Sequence, residues 1–157
     1  MTSKNAGRSW RNILRRRILS REEEKTVVLA IGGAETGNRG EVRVHLEAHC
    51  PEDDPLGSAA ALFIELGMDR TAEGTGVLLY VAARDRRAAV YAGPGIHGAA
   101  EKGFWQDTVN AVAGGFSAGE PARGIALALD KIGTLLRATV PGEDRSGNEL
   151  PDEVTQS

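Results

Sequence analysis

Polar and apolar positions alternate at every step through Glu41-Val42-Arg43-Val44-His45-Leu46-Glu47. That is the period of a strand with one buried and one polar face, and a polar, solvent-facing side places it toward the edge of a sheet. The run Gly76-Val77-Leu78-Leu79-Tyr80-Val81-Ala82-Ala83 is apolar on both alternating faces. It predicts a strand buried on both sides, which needs helices on both faces of its sheet. After the charged turn Arg84-Asp85-Arg86, residues 87–92 return as an antiparallel third strand, stopped by Gly93-Pro94-Gly95.

Helical spacing fills the intervals. Ser20 and Glu23 have the spacing of a capping box, and Val27, Ala30, Ile31 and Ala34 follow on one face up to the break at Gly37-Asn38-Arg39-Gly40. Asp53 or Asp54 can cap a second helix with Pro55 at its first position. There Leu56, Ala59, Ala60, Phe63 and Leu66 point inward, and Gly67 is the stop. A third helix is predicted over residues 99–114, with Phe104, Trp105, Thr108, Val109, Val112 and the nearby Phe116 inward. A fourth opens at Gly119-Glu120-Pro121 and repeats Ile125, Leu129, Ile132, Leu136 and Val140, with Gly124 and Gly133 allowing close packing on the sheet. The order α-β-α-β-β-α-α, with a right-handed parallel crossover between the first two strands, predicts a three-layer α/β/α sandwich around a small mixed sheet. A single domain is expected over residues 20–141, after a basic leader (1–19) and before a polar, acidic tail (142–157).

Length and composition change this picture little: 157 residues, 41% hydrophobic and 26% charged, suit one domain with a real core. The net charge of −3 selects no partner. The leader is basic throughout, with Arg15-Arg16-Arg17 interrupting any apolar segment of a signal peptide. Residues 10–19 fit either a helix docking on an anionic surface or a solvated leader. The latter is preferred because the acidic Glu22-Glu23-Glu24 follows at once. One cysteine, Cys50, excludes an internal disulfide and fits a reducing compartment. No run is apolar enough to span a bilayer, and a cytoplasmic protein is expected. Few aromatics argue against a specific nucleic-acid surface.

Three places could carry chemistry. With this topology, loops 37–41, 73–76 and 93–97 meet at one end of the sheet. They are glycine-rich (Gly40, Gly76, Gly93, Gly95) and bring Glu35, Glu41, Glu73, His97 and the Thr75 hydroxyl within reach of one another. Such oxygens suit a hard cation, calcium or magnesium; solvated acids at glycine-bounded strand ends are the plainer account. The opposite end holds Glu52-Asp53-Asp54 and Asp85, at the carboxyl side of the parallel strands where ligands of open α/β sheets bind. The polar face of the first strand is third: His45 beside Glu47 or Glu41 could move a proton and Arg43 orient a phosphate, although alternating charges on an edge strand explain it as well. No dinucleotide fingerprint, P-loop, nucleophile elbow or zinc spacing is present.

The ordered stretches Ala30-Ile31 to Ala34-Glu35, Gly40 to Glu47, Ala61-Leu62-Phe63 to Met68, Gly76 to Ala82, Gly95-Ile96, Phe104-Trp105, Phe116-Ser117-Ala118-Gly119 and Asn148 to Val154 resemble the TPM domain family. That family includes a thylakoid acid phosphatase, a photosystem II repair protein and many bacterial members. This chain is similar to the short cytosolic bacterial branch. The resemblance implies the same α/β/α sandwich, a divalent-cation site for Ca2+ and, in some members, acid phosphatase activity on a phosphorylated small molecule. Other members are regulators with protein partners. Carried over residue by residue, it implies Glu41 as catalytic base or metal ligand, Glu35 as a further ligand, and Gly40, Thr75, Gly76, Gly93, Gly95 and His97 around the ligand. The family pattern Gly-Asp-x-Gly-Ile after the third strand is broken here: Ala92 and Gly93 stand where its first glycine and its aspartate are expected. Thr75 replaces the asparagine before Gly76. Losing that carboxylate weakens the expected calcium site and any hydrolase activity with it. A non-catalytic interaction or regulatory module is the alternative.

Overall fold

The computed structural model of the chain describes residues 18–143 and 154–157. The expectations for the leader before Ile18 and for a tail anchored at Leu150 fall outside the described residues. Five helices, α1 (Arg21–Glu35), α2 (Pro55–Glu65), α3 (Pro94–His97), α4 (Phe104–Ser117) and α5 (Pro121–Thr139), accompany four strands, β1 (Glu41–Glu47), β2 (Gly76–Ala82), β3 (Arg87–Ala92) and β4 (Val154–Gln156). The strands lie side by side as β3-β2-β1-β4. β1 runs parallel to β2 and β4, and β2 antiparallel to β3. This is the expected mixed-sheet α/β sandwich. No described helix is long and apolar enough to cross a membrane.

The pleat sorts side chains onto two cores. Val42, Val44, Leu46, Val77, Leu79 and Val81 face α1, α4 and α5 in the larger one. Leu78, Tyr80, Ala82 and Ala89 face Ala59 and Phe63 of α2 in the smaller. β2 is buried along its whole length, as its two-sided apolar run requires. The Ser20–Glu23 capping box forms in full. Asp54 is the residue that caps α2, accepting from the Gly57 N–H at 3.0 Å, with Pro55 at its first position.

Four expectations are corrected. β1 is not toward the edge: β4, too short to announce itself in sequence, pairs with it in the register Val44–Val154, His45–Thr155 and Leu46–Gln156. Its polar face is not solvated either, because Glu41, Arg43 and His45 are all buried. The third long helix begins at Phe104 rather than 99, because the short α3 and a loop ending at Gly103, in left-handed backbone, come first. Finally, Gly124 and Gly133 serve helix–helix contacts, not contacts on the sheet. A Cβ on Gly124 would lie 2.7 Å from the Gly115 Cα in α4, and one on Gly133 2.8 Å from the Ala34 Cα in α1.

Candidate functional site

The three glycine-rich loops do meet, and they meet by bonding to each other. The N–H of Glu41 donates to the Thr75 carbonyl at 3.1 Å, and the Thr75 hydroxyl donates to the Arg39 carbonyl at 3.0 Å. The Gly95 N–H donates to the Gly74 carbonyl at 2.9 Å. The approach is closer than any side chain would permit. A Cβ on Gly93 would lie 2.4 Å from the Gly74 oxygen, and one on Gly95 2.4 Å from the Glu73 oxygen. Gly74 itself sits at φ +66°, a conformation glycine adopts without steric cost.

The carboxylates of this end have partners of their own. Glu73 is gripped by Arg39 through two bonds, Nε to Oε2 at 2.8 Å and Nη2 to Oε1 at 3.1 Å, the two-pronged geometry of strong guanidinium–carboxylate pairs. Arg39 also donates to the Pro141 carbonyl, and its N–H to Val140, which ties the loop to the end of α5. Glu35 Oε2 accepts the Val42 N–H at 2.8 Å. Odd-numbered β1 residues turn their N–H toward β2, as Glu41 does, so the Val42 N–H points to the other side, where pairing with β4 starts only at Val44. Glu35 stands in for the missing strand. Glu41 is 1% exposed, while His97 is exposed at the end of α3.

Gly40, Glu41, Thr75, Gly76, Gly93 and Gly95 are thus brought together, with Glu35 beside them and His97 turned to solvent. Among the described residues no three His, Cys, Asp or Glu side chains form a group that could hold a metal ion. The Glu35 and Glu73 carboxylates are committed to Val42 and Arg39 instead. The described residues of this end therefore do not fit the cation that the resemblance implies.

A second polar cluster lies on the buried face of β1. His45 Nδ1 is 2.6 Å from Thr155 Oγ1, and His45 Nε2 is 2.9 Å from Ser157 Oγ. Ser157 Oγ donates to Glu47 Oε1 at 3.2 Å, and the Tyr80 hydroxyl donates to Glu47 Oε2. The Tyr80 and His45 rings lie 14° from parallel, with centroids 6.2 Å apart. Burial holds the His45 imidazole below its ordinary pKa, with Glu47 opposing. Burial first, and the bond to Glu47 second, push the Tyr80 phenol up. These groups fix β4 in register on β1.

At the carboxyl end of the parallel strands, Asp85 is held below its usual range by its hydrogen bond to His49 Nδ1, 2.8 Å, and by the Cys50 N–H, 2.6 Å. Asp53 accepts from Arg87. The acids of that end are fasteners too.

Sequence reasoning missed Arg39, Asn38, Thr155 and Ser157. Asn38 is buried, donating to the Ala34 carbonyl at 2.7 Å and accepting the Gly40 N–H at 2.9 Å. The turn sequence Asn38-Arg39-Gly40 was a signal for it. A three-residue strand across a long separation leaves no signal for the other pair.

Comparison with known proteins agrees with this architecture. The model of the TPM domain family matches residues 15–135. Among solved structures, the BA42 protein of the psychrophilic bacterium Bizionia argentinensis is 35% identical, covers 90% of this chain and 97% of its own, and superposes with a TM-score of 0.79. The N-terminal domain of a P. gingivalis protein (18% identity, 78% of this chain and 79% of its own, TM-score 0.64) and that of the cg2496 protein of Corynebacterium glutamicum (13%, 80% and 79%, 0.60) share the fold. No curated protein matches the chain. With the family model covering most of its length and its loops meeting where the family pattern places them, the chain belongs to the TPM domain family.

Proposed function

We propose that this chain is a non-catalytic TPM domain, a binding or regulatory module in which the loop cluster works as a structural clasp instead of a calcium-dependent phosphatase centre. One observation carries the reading: the Gly74 carbonyl occupies the space that a side chain at position 93 would need, 2.4 Å from its Cβ. The commitments of Glu73 to Arg39 and of Glu35 to Val42 support it. So does the burial of Glu41, since a general base must reach its proton within hydrogen-bond distance.

The test is a calcium titration followed by amide NMR, together with an assay on p-nitrophenyl phosphate. The expected result is no saturable shift of residues 37–41, 73–76 and 93–97 at millimolar calcium, and no turnover above buffer. Saturable shifts in those loops, with hydrolysis abolished by Glu41→Gln, would restore the phosphatase assignment and reject the clasp.

A further inference from the structure

At the opposite end of the sheet, where β2 turns into β3, a cleft of about 720 Å³ opens between the strand ends and α4. Val109 and Phe116 contribute its apolar walls over the buried Val81 and Val112; Arg86, Arg87 and Gln106 supply its polar lining. The volume falls in the range of small-molecule sites, which combine apolar walls with a few placed polar groups. The position, outside the carboxyl end of a parallel strand, is where open α/β sheets bind their ligands.

The arginines are presented by a turn that is costly to build. Glu52, Asp53 and Arg86 are the three non-glycine residues with positive φ among the described residues, at +55°, +54° and +55°. Left-handed backbone is unfavourable for Glu and Arg side chains and milder for Asp, and the three flank the Asp53–Arg87 contact. Asp53 accepts from Arg87, fixing the start of β3. Asp85 is drawn away to His49 and Cys50. Between these two anchored residues stands Arg86, which is exposed and whose guanidinium forms no hydrogen bond or ion pair with the described residues, its backbone N–H donating to the Ala83 carbonyl. Gln106 spends one amide N–H on Asn110 at 2.9 Å and keeps the other. Strained backbone that holds an uncompensated guanidinium at the mouth of a cleft with both polar and apolar lining is the kind of local cost that function explains.

We propose that this cleft binds a small amphipathic organic anion, its carboxylate or sulfonate head on Arg86 and its alkyl or aryl body against Val109 and Phe116. The proposal stands whether or not the clasp at the other end binds calcium. The probes are 8-anilinonaphthalene-1-sulfonate and decanoate, with the uncharged N-phenyl-1-naphthylamine and inorganic phosphate as comparisons. Saturable binding of the sulfonate to the folded protein is expected, competed by decanoate, with amide shifts confined to residues 81–88 and 106–117. Arg86→Gln should weaken the sulfonate by about tenfold or more, the worth of a charge-assisted contact, and leave the uncharged probe unchanged. Ala113→Trp, at an exposed helix position lining the cleft, should block both probes without lowering the melting temperature. Equal sulfonate affinity in Arg86→Gln, shifts mapping elsewhere, or phosphate alone binding as tightly as the sulfonate would each overturn the proposal.

Discussion

Restoring the family's aspartate with Gly93→Asp should not restore a calcium site; it should loosen the fold. The new Cβ would stand 2.4 Å from the Gly74 oxygen and 2.9 Å from its carbonyl carbon, and these are backbone atoms that no rotamer change can move aside. Ordinary carbon contacts are about 3.5 Å or more, so the 73–76 loop must retreat by roughly 1 Å. Retreat strains or breaks the Gly95 N–H to Gly74 bond of 2.9 Å. Overpacking costs about 1–3 kcal/mol and a lost backbone bond about 1 kcal/mol. A loss of roughly 2–4 kcal/mol is expected, a large part of the about 5–15 kcal/mol that holds a domain together. Urea unfolding followed by circular dichroism measures it. With a slope of about 2 kcal/mol/M, the midpoint should fall by about 1–2 M with the slope unchanged. Gly93→Ala should reproduce most of the loss, since the Cβ is its cause. A Gly93→Asp protein with the wild-type midpoint, or one that gains submillimolar calcium affinity at no cost in stability, would refute the reasoning.

Three further outcomes follow from the other fasteners. His45 is kept neutral by burial, against Glu47 and Glu65 and with Arg43 nearby. The unfolded chain therefore takes up a proton that the native ring resists, and stability should fall as pH drops below about 6.5, by up to about 1.4 kcal/mol per pH unit, levelling off below the lowered native pKa; His45→Gln should flatten that slope in urea titrations from pH 8 to 5. Glu35→Ala removes the acceptor of the Val42 N–H and should cost about 1.5–3 kcal/mol, with faster exchange of the Val42 amide in hydrogen-exchange NMR. Arg86→Gly relieves the φ of +55° and should raise the melting temperature, since left-handed backbone costs about 1–2 kcal/mol, while lowering affinity for the sulfonate probe.

The layer architecture was legible because each element announces itself locally. The unbroken run at Val77, short and bounded by Gly76 and the Arg84-Asp85-Arg86 turn, reads as a strand covered on both faces. Ser20 with Glu23, and Asp54 with Pro55, mark helix starts within four residues. What failed was the environment of β1. The alternation of Glu41, Arg43, His45 and Glu47 is the same whether the polar face meets water or meets Thr155, Ser157 and Tyr80. The pattern reports spacing, and the solvent is supplied by whatever lies beside the strand. Here that neighbour is a three-residue strand 110 positions away from its partner, at His45 and Thr155, too short for any periodicity to reveal.

The candidate site shows the same division more sharply. That loops 37–41, 73–76 and 93–97 share one end follows from strand directions alone, and strand directions follow from the crossover rule. Which atoms of those loops remain available to a ligand does not follow, because carboxylates and glycines can build either a cation cage or a clasp. Two residues separate the outcomes. Arg39 turns Glu73 from a donor of free oxygens into half of an ion pair, and Gly93 removes a carboxylate while letting the Gly74 backbone close into its space. The loss at 93 and the loop contact reinforce each other. Without the aspartate nothing holds the two loops apart, and once they are in contact a side chain at 93 no longer fits. On the proposed clasp reading the missing carboxylate and the closed loop are one structural event, and returning the aspartate alone should not open a cation site.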